Sequence, residues 1–161
     1  MTGKEPFTPF RPEPRDGFPG HPMPPSVPEG LRLELSRSPI IPGKEAEFEE
    51  WMAALNGRYD EHEDGLSNER QVLEATFAHR EADGTLWMYH VSLMGTESGG
   101  LDESRPLDAL HAAYSRRVKT PGWEELTPKV HADTAAHQPD YDALGTNRID
   151  RLTAPRADEE Q

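Results

Sequence analysis

Leu31-Arg32-Leu33-Glu34-Leu35-Ser36 alternates apolar and polar residues without a break, which is the period of a half-buried β-strand. Leu31, Leu33 and Leu35 share one face, and Arg32, Glu34 and Ser36 share the other. Pro42-Gly43 ends the strand and the period changes. Phe48, Trp51, Met52, Leu55 and Tyr59 recur at helical spacing, one apolar stripe on a helix expected to run to about Gly65. Glu45, Glu47 and Glu49 lie near its start, where the helix dipole favours carboxylates. Two β-prone runs, Gln71 to Arg80 and Leu86 to Met94, then flank Asp83-Gly84, a hairpin signal. By parity Leu73, Ala75 and Phe77 join Trp87, Tyr89, Val91 and Leu93 as an apolar face, while Glu74, Thr76, Met88, His90 and Ser92 point the other way. A second helix is predicted with Ser104 as N-cap, Pro106 in its first turn and Leu107, Leu110, His111, Tyr114 and Val118 as its stripe. Pro121-Gly122 stops it. The last strand is expected over about Leu126 to His131, where Pro128 suits an edge position.

The order strand, helix, hairpin, helix, strand predicts an α+β domain. Its four-stranded antiparallel sheet has the order 4-1-3-2, with both helices on one face. The other face needs a cover, for which a second copy of the chain is the natural candidate. The apolar face is expected under the helices. The polar face of Arg32, Glu34, Glu74, Thr76, His90 and Ser92 would then meet the twin subunit across about 10 Å, the spacing of packed sheets, and enclose a small chamber.

The flanks read differently. Nine prolines from Pro6 to Pro28 remove backbone donors and fix φ, so residues 1–30 are expected to be a disordered, proline-rich arm. Phe7, Phe10 and Phe18 within it could dock on a protein partner in polyproline II form. The ordered domain spans residues 31–132. A C-terminal tail, 133–161, holds at most a short docked helix around Tyr141 to Leu152. The 30 acidic residues against 17 basic ones leave a net charge of −13, which repels phosphate backbones and argues against nucleic-acid binding. With no cysteine, disulfides, thiol nucleophiles and thiolate metal sites are excluded. No stretch has the length and apolarity of a signal peptide or a membrane span, so a cytoplasmic protein with no membrane partner is expected.

Three strings, LELSRSPIIPGKEAEFEEWMAALN, QVLEATFAHREADGTLWMYHVSLMG and LDALHAAYSRRV, resemble a small bacterial family of unknown function related to the ferredoxin-like dimeric α/β-barrel superfamily. The similarity runs from about Leu33 to Val130. It is carried by Glu34, Arg37, Pro42-Gly43-Lys44, Glu50-Trp51-Met52, Leu55-Asn56, Glu74, the Asp83-Gly84 turn, Tyr89, His111 and Tyr114. The resemblance implies a βαββαβ fold and a homodimer, and it supplies no activity. Other members of the superfamily include cofactor-free monooxygenases, isomerases and cyclases of small aromatic or polyketide substrates. The long proline-rich arm and C-terminal tail depart from the compact family pattern.

Candidate chemistry gathers on the polar sheet face. Two carboxylates in a confined space cannot both ionise cheaply, and with His90 beside them Glu34 and Glu74 make a possible acid/base set. An ion-paired, wet dimer interface is the alternative. His111, on the second helix's apolar stripe, is either a core histidine held by one hydrogen bond or a base in the cleft near Tyr89. The catalytic candidates are therefore Glu74, His111 and His90. Glu34, Arg37, Tyr89, Trp51 and Tyr114 are candidates for binding a small molecule. Glu34, Glu74, His90 and His111 are ligand types for zinc, iron or manganese, but parity sets His111 on the opposite side of the sheet from the others. No metal and no organic cofactor is therefore expected. The acidic run Asp60 to Asp64 reads as solvated surface. Three functions remain open: a homodimeric enzyme for isomerisation, cyclisation or cofactor-free oxygenation of a small organic molecule, a non-catalytic binding module, or an interaction protein acting through its arm.

Overall fold

A computed structural model describes residues 10–96 and 99–132. The alternating run forms β1 (Leu31–Pro39), and the two runs around Asp83-Gly84 form β2 (Gln71–Arg80) and β3 (Leu86–Gly95). In the turn Gly84 takes φ +87°, a backbone angle that side chains with a Cβ resist. β3 pairs antiparallel with β2 on one side and β1 on the other, so that Leu35, Val91 and Ala75 form one row. The fourth strand, β4, is only Glu124–Glu125, paired antiparallel with Arg37 and Ser36. The order β2-β3-β1-β4 makes an open antiparallel sheet, an α+β fold consistent with the ferredoxin-like one. Pro128 lies beyond β4 rather than within it. The expected strand from Leu126 to His131 is replaced by this earlier, shorter pairing, which ends as Leu126 donates its N–H to Leu35 O at 2.7 Å.

The first predicted helix is two. α1 (Glu45–Gly57) and α2 (Tyr59–Asn68) meet at Arg58, whose φ −118°, ψ 46° is not helical. The break throws Tyr59 off the apolar stripe, and it is 63% exposed. α3 (Pro106–Val118) begins with its proline at the first helical position, as predicted, but Arg105 rather than Ser104 precedes it. Ser104 bonds Asp102 instead. The core beneath the helices joins Ile40, Phe48, Trp51, Leu55, Met88, Leu107 and Val118, each large side chain contributing roughly 1.5–3 kcal/mol by leaving water.

The two faces of the sheet are exchanged relative to the prediction. Ser36, Ser38, Met88, Ser92 and Met94 are buried, and with Glu34, Glu74 and His90 they lie under the helices. Leu73 and Phe77 are 49% and 60% exposed on the opposite face. Alternation shows that two faces differ, not which one the helices cover. Here α3 carries polar groups of its own inward, His111 and Asp108, and the small Ser36 and Ser38 of β1 share the space with His111.

Residues 10–30 follow the edge of the domain with little regular structure, as their prolines require. Even so, they bond to it. Phe10 and Leu101 exchange backbone hydrogen bonds of 3.0 and 2.9 Å, and Arg15 N–H donates to Trp123 O at 2.8 Å. Trp123 Nε1 donates to Pro12 O at 3.1 Å, and the Arg116 guanidinium lies 4.1 Å over the Phe10 ring. Farther along, Met23 and Val27 pack with Leu31, Leu33, Val72 and Leu93 and cover one end of the outer sheet face. Phe7 and the helix predicted around Tyr141 to Leu152 fall outside the described residues. Among the described residues no helix is long and apolar enough to cross a membrane.

Candidate functional site

Because β2 turns Glu74 inward, the carboxylate meets side chains from three other elements. Its Oε2 is 3.2 Å from Nε2 of His62 on α2, and its Oε1 is 2.9 Å from Nε2 of His90 on β3. His111 reaches the same place from α3, and the ligating atoms of His62, Glu74 and His111 all lie within 4.8 Å of one another. The imidazole of His111 stands edge-on to the Trp51 ring, centroids 5.3 Å apart, and to His62 at 6.3 Å. Close approach of the helices makes the convergence possible. Gly65 packs so near Asp108 that a Cβ there would lie 2.9 Å from its Oδ1.

Glu74, His90, His111 and Trp51 face a cavity of about 120 Å³ between sheet and helices. Glu34 and Ser36 of β1, Glu69 at the end of α2 and Lys119 just past α3 complete its polar wall, and Phe10, Arg11 and Pro12 of the arm close one side. Among the described residues the buried Trp51 Nε1 and Ser92 Oγ have no hydrogen-bond partner.

Burial and mutual charge set the protonation of this wall. For Glu74 burial acts to raise the pKa, but hydrogen bonds from His62 and His90, with the charges of His90 and His111, hold it well below the usual carboxylate range. Burial pushes His111 down to about 4 despite the opposing pull of Glu74, so its ring is neutral. The hydrogen bond to Glu74 raises His62. Burial, reinforced by the charges of Glu74 and Asp108, lifts Glu69 to about 8. Burial lowers Lys119 to about 8, against the pull of Glu74. Glu34 is raised by burial and by Glu125, with Arg32 opposing.

Of the residues singled out in the sequence, Glu74, His90, His111, Glu34 and Trp51 meet at the cavity. The parity argument that separated His111 from Glu74 and His90 is therefore corrected: α3 covers the face that carries them. With it goes the reason for setting a metal aside, since two imidazoles and a carboxylate now share one spot. Arg37 borders the cavity, but its guanidinium bonds Glu124 at 2.8 Å and lies over Trp87. Tyr89 is on the outer face, donating its hydroxyl to Glu81 at 2.6 Å. Tyr114 stacks on Trp51 under the guanidinium of Arg117 and lies outside the cavity lining. Arg32, placed with Glu74 on the polar face in the sequence, pairs with Glu34 and Glu125.

His62, Glu69 and Lys119 were not among the sequence candidates. His62 is hidden in the acidic run Asp60 to Asp64, which looks like solvent-facing surface. A signal was present: His62, Gly65 and Glu69 fall at i, i+3 and i+7, one face of a helix. Lys119 follows the last turn of α3, where a lysine ordinarily serves the helix dipole.

No curated protein matches this chain. A family model does match, over residues 31–138, which span the whole sheet, the three helices and every cavity residue except those of the arm. The chain thus belongs to the family of unknown function DUF6176.

Proposed function

We propose that this protein is a small homodimeric enzyme that moves a proton on a compact organic molecule held between its sheet and its helices. The observation that carries the reading is the convergence of Glu74, His90 and His111 from three elements on one cavity, with His62 of a fourth element held against Glu74. Buried polar groups are costly unless they are partnered, and a fold serving stability alone would fill this space with apolar side chains. A cavity of about 120 Å³ is close to the roughly 150 Å³ that accommodates benzene, which sets the ligand at about six heavy atoms. The polar wall selects one with hydroxyl, carbonyl or carboxylate groups.

The roles follow from protonation. A group that exchanges protons works best with a pKa near the working pH. Glu69 and Lys119, both near 8, meet that condition. Glu74 is held too firmly as a carboxylate to be the exchanging group, and it serves to anchor the histidines. Isomerisation or cyclisation through an enol is the reaction class these groups suit.

The outer sheet face supports the dimer. Rows Leu73–Leu93–Leu33 and Ala75–Val91–Leu35, with Phe77 beside Tyr89, form a flat apolar patch of the kind that marks an interaction surface. A twofold axis through it pairs like with like. The chamber therefore lies within each protomer, on the far side of the sheet from the dimer contact.

Ligand-observed NMR with a library of hydroxy acids, keto acids and phenols tests the reading. Members of one chemical class should bind the full-length chain and lose binding in Lys119→Met and Glu69→Gln, and the bound class should then be turned over. Binding without turnover would reduce the protein to a carrier. No binding by any class would end the chamber hypothesis.

A further inference from the structure

We propose that His62, Glu74 and His111 form a binding site for a divalent first-row transition ion at the wall of the chamber. The inference deepens the reading above by naming the centre around which the chamber is built. Two histidines and one carboxylate, from α2, β2 and α3, bring their ligating atoms within 4.8 Å of one another. Such an ion sits about 2.0–2.1 Å from imidazole nitrogen and carboxylate oxygen. At that radius neighbouring ligand atoms are roughly 2.8–3.4 Å apart, from the octahedron at the short end to the tetrahedron at the long end. The His62 Nε2 to Glu74 Oε2 separation is 3.2 Å. A proton bridges that gap in a hydrogen bond, and a cation can bridge the same gap once His111 closes by a fraction of its present spacing.

The surroundings support the ligands as a metal site requires. Glu74 offers Oε2 to the ion, while Oε1 is held by His90 at 2.9 Å, so the carboxylate plane is fixed from behind, as outer partners fix metal ligands. The rings of His62 and His111 stand edge to face at 73°, and Trp51 also packs edge-on against His111. Glu74 itself is 6% exposed at its side chain, and its ion-pair partners among the described residues are imidazoles alone. A buried carboxylate so partnered is short of positive charge, and a dication supplies it.

The donor set narrows the ion. Calcium and magnesium take oxygen ligands, whereas two imidazoles with a carboxylate suit zinc or iron(II). Three protein ligands leave coordination positions open, the mark of a reactive rather than a structural centre. Glu74 and His111 both line the cavity, so an oxygen of the bound molecule can take an open position. There the ion would polarise it and ease loss of the neighbouring proton.

Cobalt(II), zinc(II) and magnesium(II) titrations of the full-length, untagged chain, stripped with a chelator, test the site. One cobalt per chain should bind with visible ligand-field absorption. Zinc should displace it and raise the midpoint of thermal unfolding by several degrees, and magnesium should do neither. His62→Gln and His111→Gln should each weaken cobalt binding by more than the roughly 10–100-fold that outer partners contribute, while His79→Gln, on the exposed outer strand, should leave it unchanged. Circular dichroism of each variant reports whether it folds. A folded wild-type chain showing neither cobalt absorption nor a zinc-dependent shift overturns the proposal, as does cobalt binding that survives both substitutions together. The NMR screen on stripped protein keeps the two ideas apart: ligand binding without cobalt binding sinks the metal site alone, and cobalt binding without ligand binding sinks the enzyme alone.

Discussion

Under the helices, one face of the sheet carries Glu34, Ser36, Ser38, Glu74, His90 and Ser92. On the other, Leu33, Leu35, Leu73, Phe77, Val91 and Leu93 look outward, partly covered by Met23 and Val27. A stable monomer would be served by the reverse, with the leucines in the core and the carboxylates in water. The difference teaches that the inner face is arranged around a cavity that carries ionisable groups. Stability there comes mostly from Phe48, Trp51, Leu55, Leu107 and Val118 of the helices and Ile40 just past β1, with Met88 contributed by β3. The outer face has apolar surface to spare, and its burial by a second copy would repay what the inner face forgoes.

The largest effect that separates the faces is expected from Trp51→Ala. It removes the fully buried ring around which Phe48, His111 and Tyr114 are arranged, and should cost about 3–5 kcal/mol in denaturant unfolding. Phe77→Ala, on the exposed face, should cost about 0.5 kcal/mol or less at concentrations where the chain is monomeric. Equal losses would mean that the outer face is as fully packed as the inner one.

Glu69 makes the inner face sensitive to pH. Folded, its carboxyl keeps its proton up to about 8, against 4.5 for an ordinary glutamic acid. Between these values the folded chain binds the extra proton, so this group's contribution to stability is full at the acid end and is lost as pH rises through the window. The groups facing it are Glu74, Asp108, Arg105 and Gln71. Glu69→Gln should remove up to about 1.4 kcal/mol per pH unit of that decline, seen as a flatter unfolding midpoint from about pH 5 to 8. A variant with the same pH profile as the wild type would show that Glu69 ionises freely.

The outer face is tested by Leu73→Glu and Phe77→Glu, whose carboxylates would meet their symmetry mates across a twofold axis. Sedimentation equilibrium should show the dimer dissociation constant raised by about 10–100-fold, some 1.4–2.7 kcal/mol, with unchanged circular dichroism. A wild-type chain that stays monomeric at about 100 μM would remove the dimer. The smallest effect is expected from Ser92→Ala. The hydroxyl is fully buried without a partner among the described residues, so its loss should be neutral or stabilising by up to about 1 kcal/mol. A clear destabilisation would reveal a hydrogen bond made in solution, with bound water as the acceptor or donor.

Much of the fold was legible. Strict alternation from Leu31 to Ser36, the Asp83-Gly84 turn and the stripe from Leu107 to Val118 each identify an element from neighbouring residues alone, and their order brings β1 and β3 to the middle of the sheet. Less of the site was readable. Glu74, His90 and His111 stood out by chemical type, but His62 sits among four acidic neighbours and Lys119 at a helix end, where a charged residue attracts no notice. Tyr89 and Tyr114 lie away from the cavity lining, which spacing could not foretell, because aromatics at element spacing look alike whether they face a cavity or contacts outside it, as with Glu81 and Arg117 here.

What the chain's order of residues determined by itself is periodic and local: where strands and helices lie, where they break, and that each strand has an apolar and a polar side. Packing alone decided which of those sides the helices would cover. A period of two is unchanged when the sheet is turned over, so the choice rests on the fit between helix and strand side chains distant in sequence. That fit, with serines opposite α3 and Gly65 against Asp108, carried Glu74 inward to the histidines.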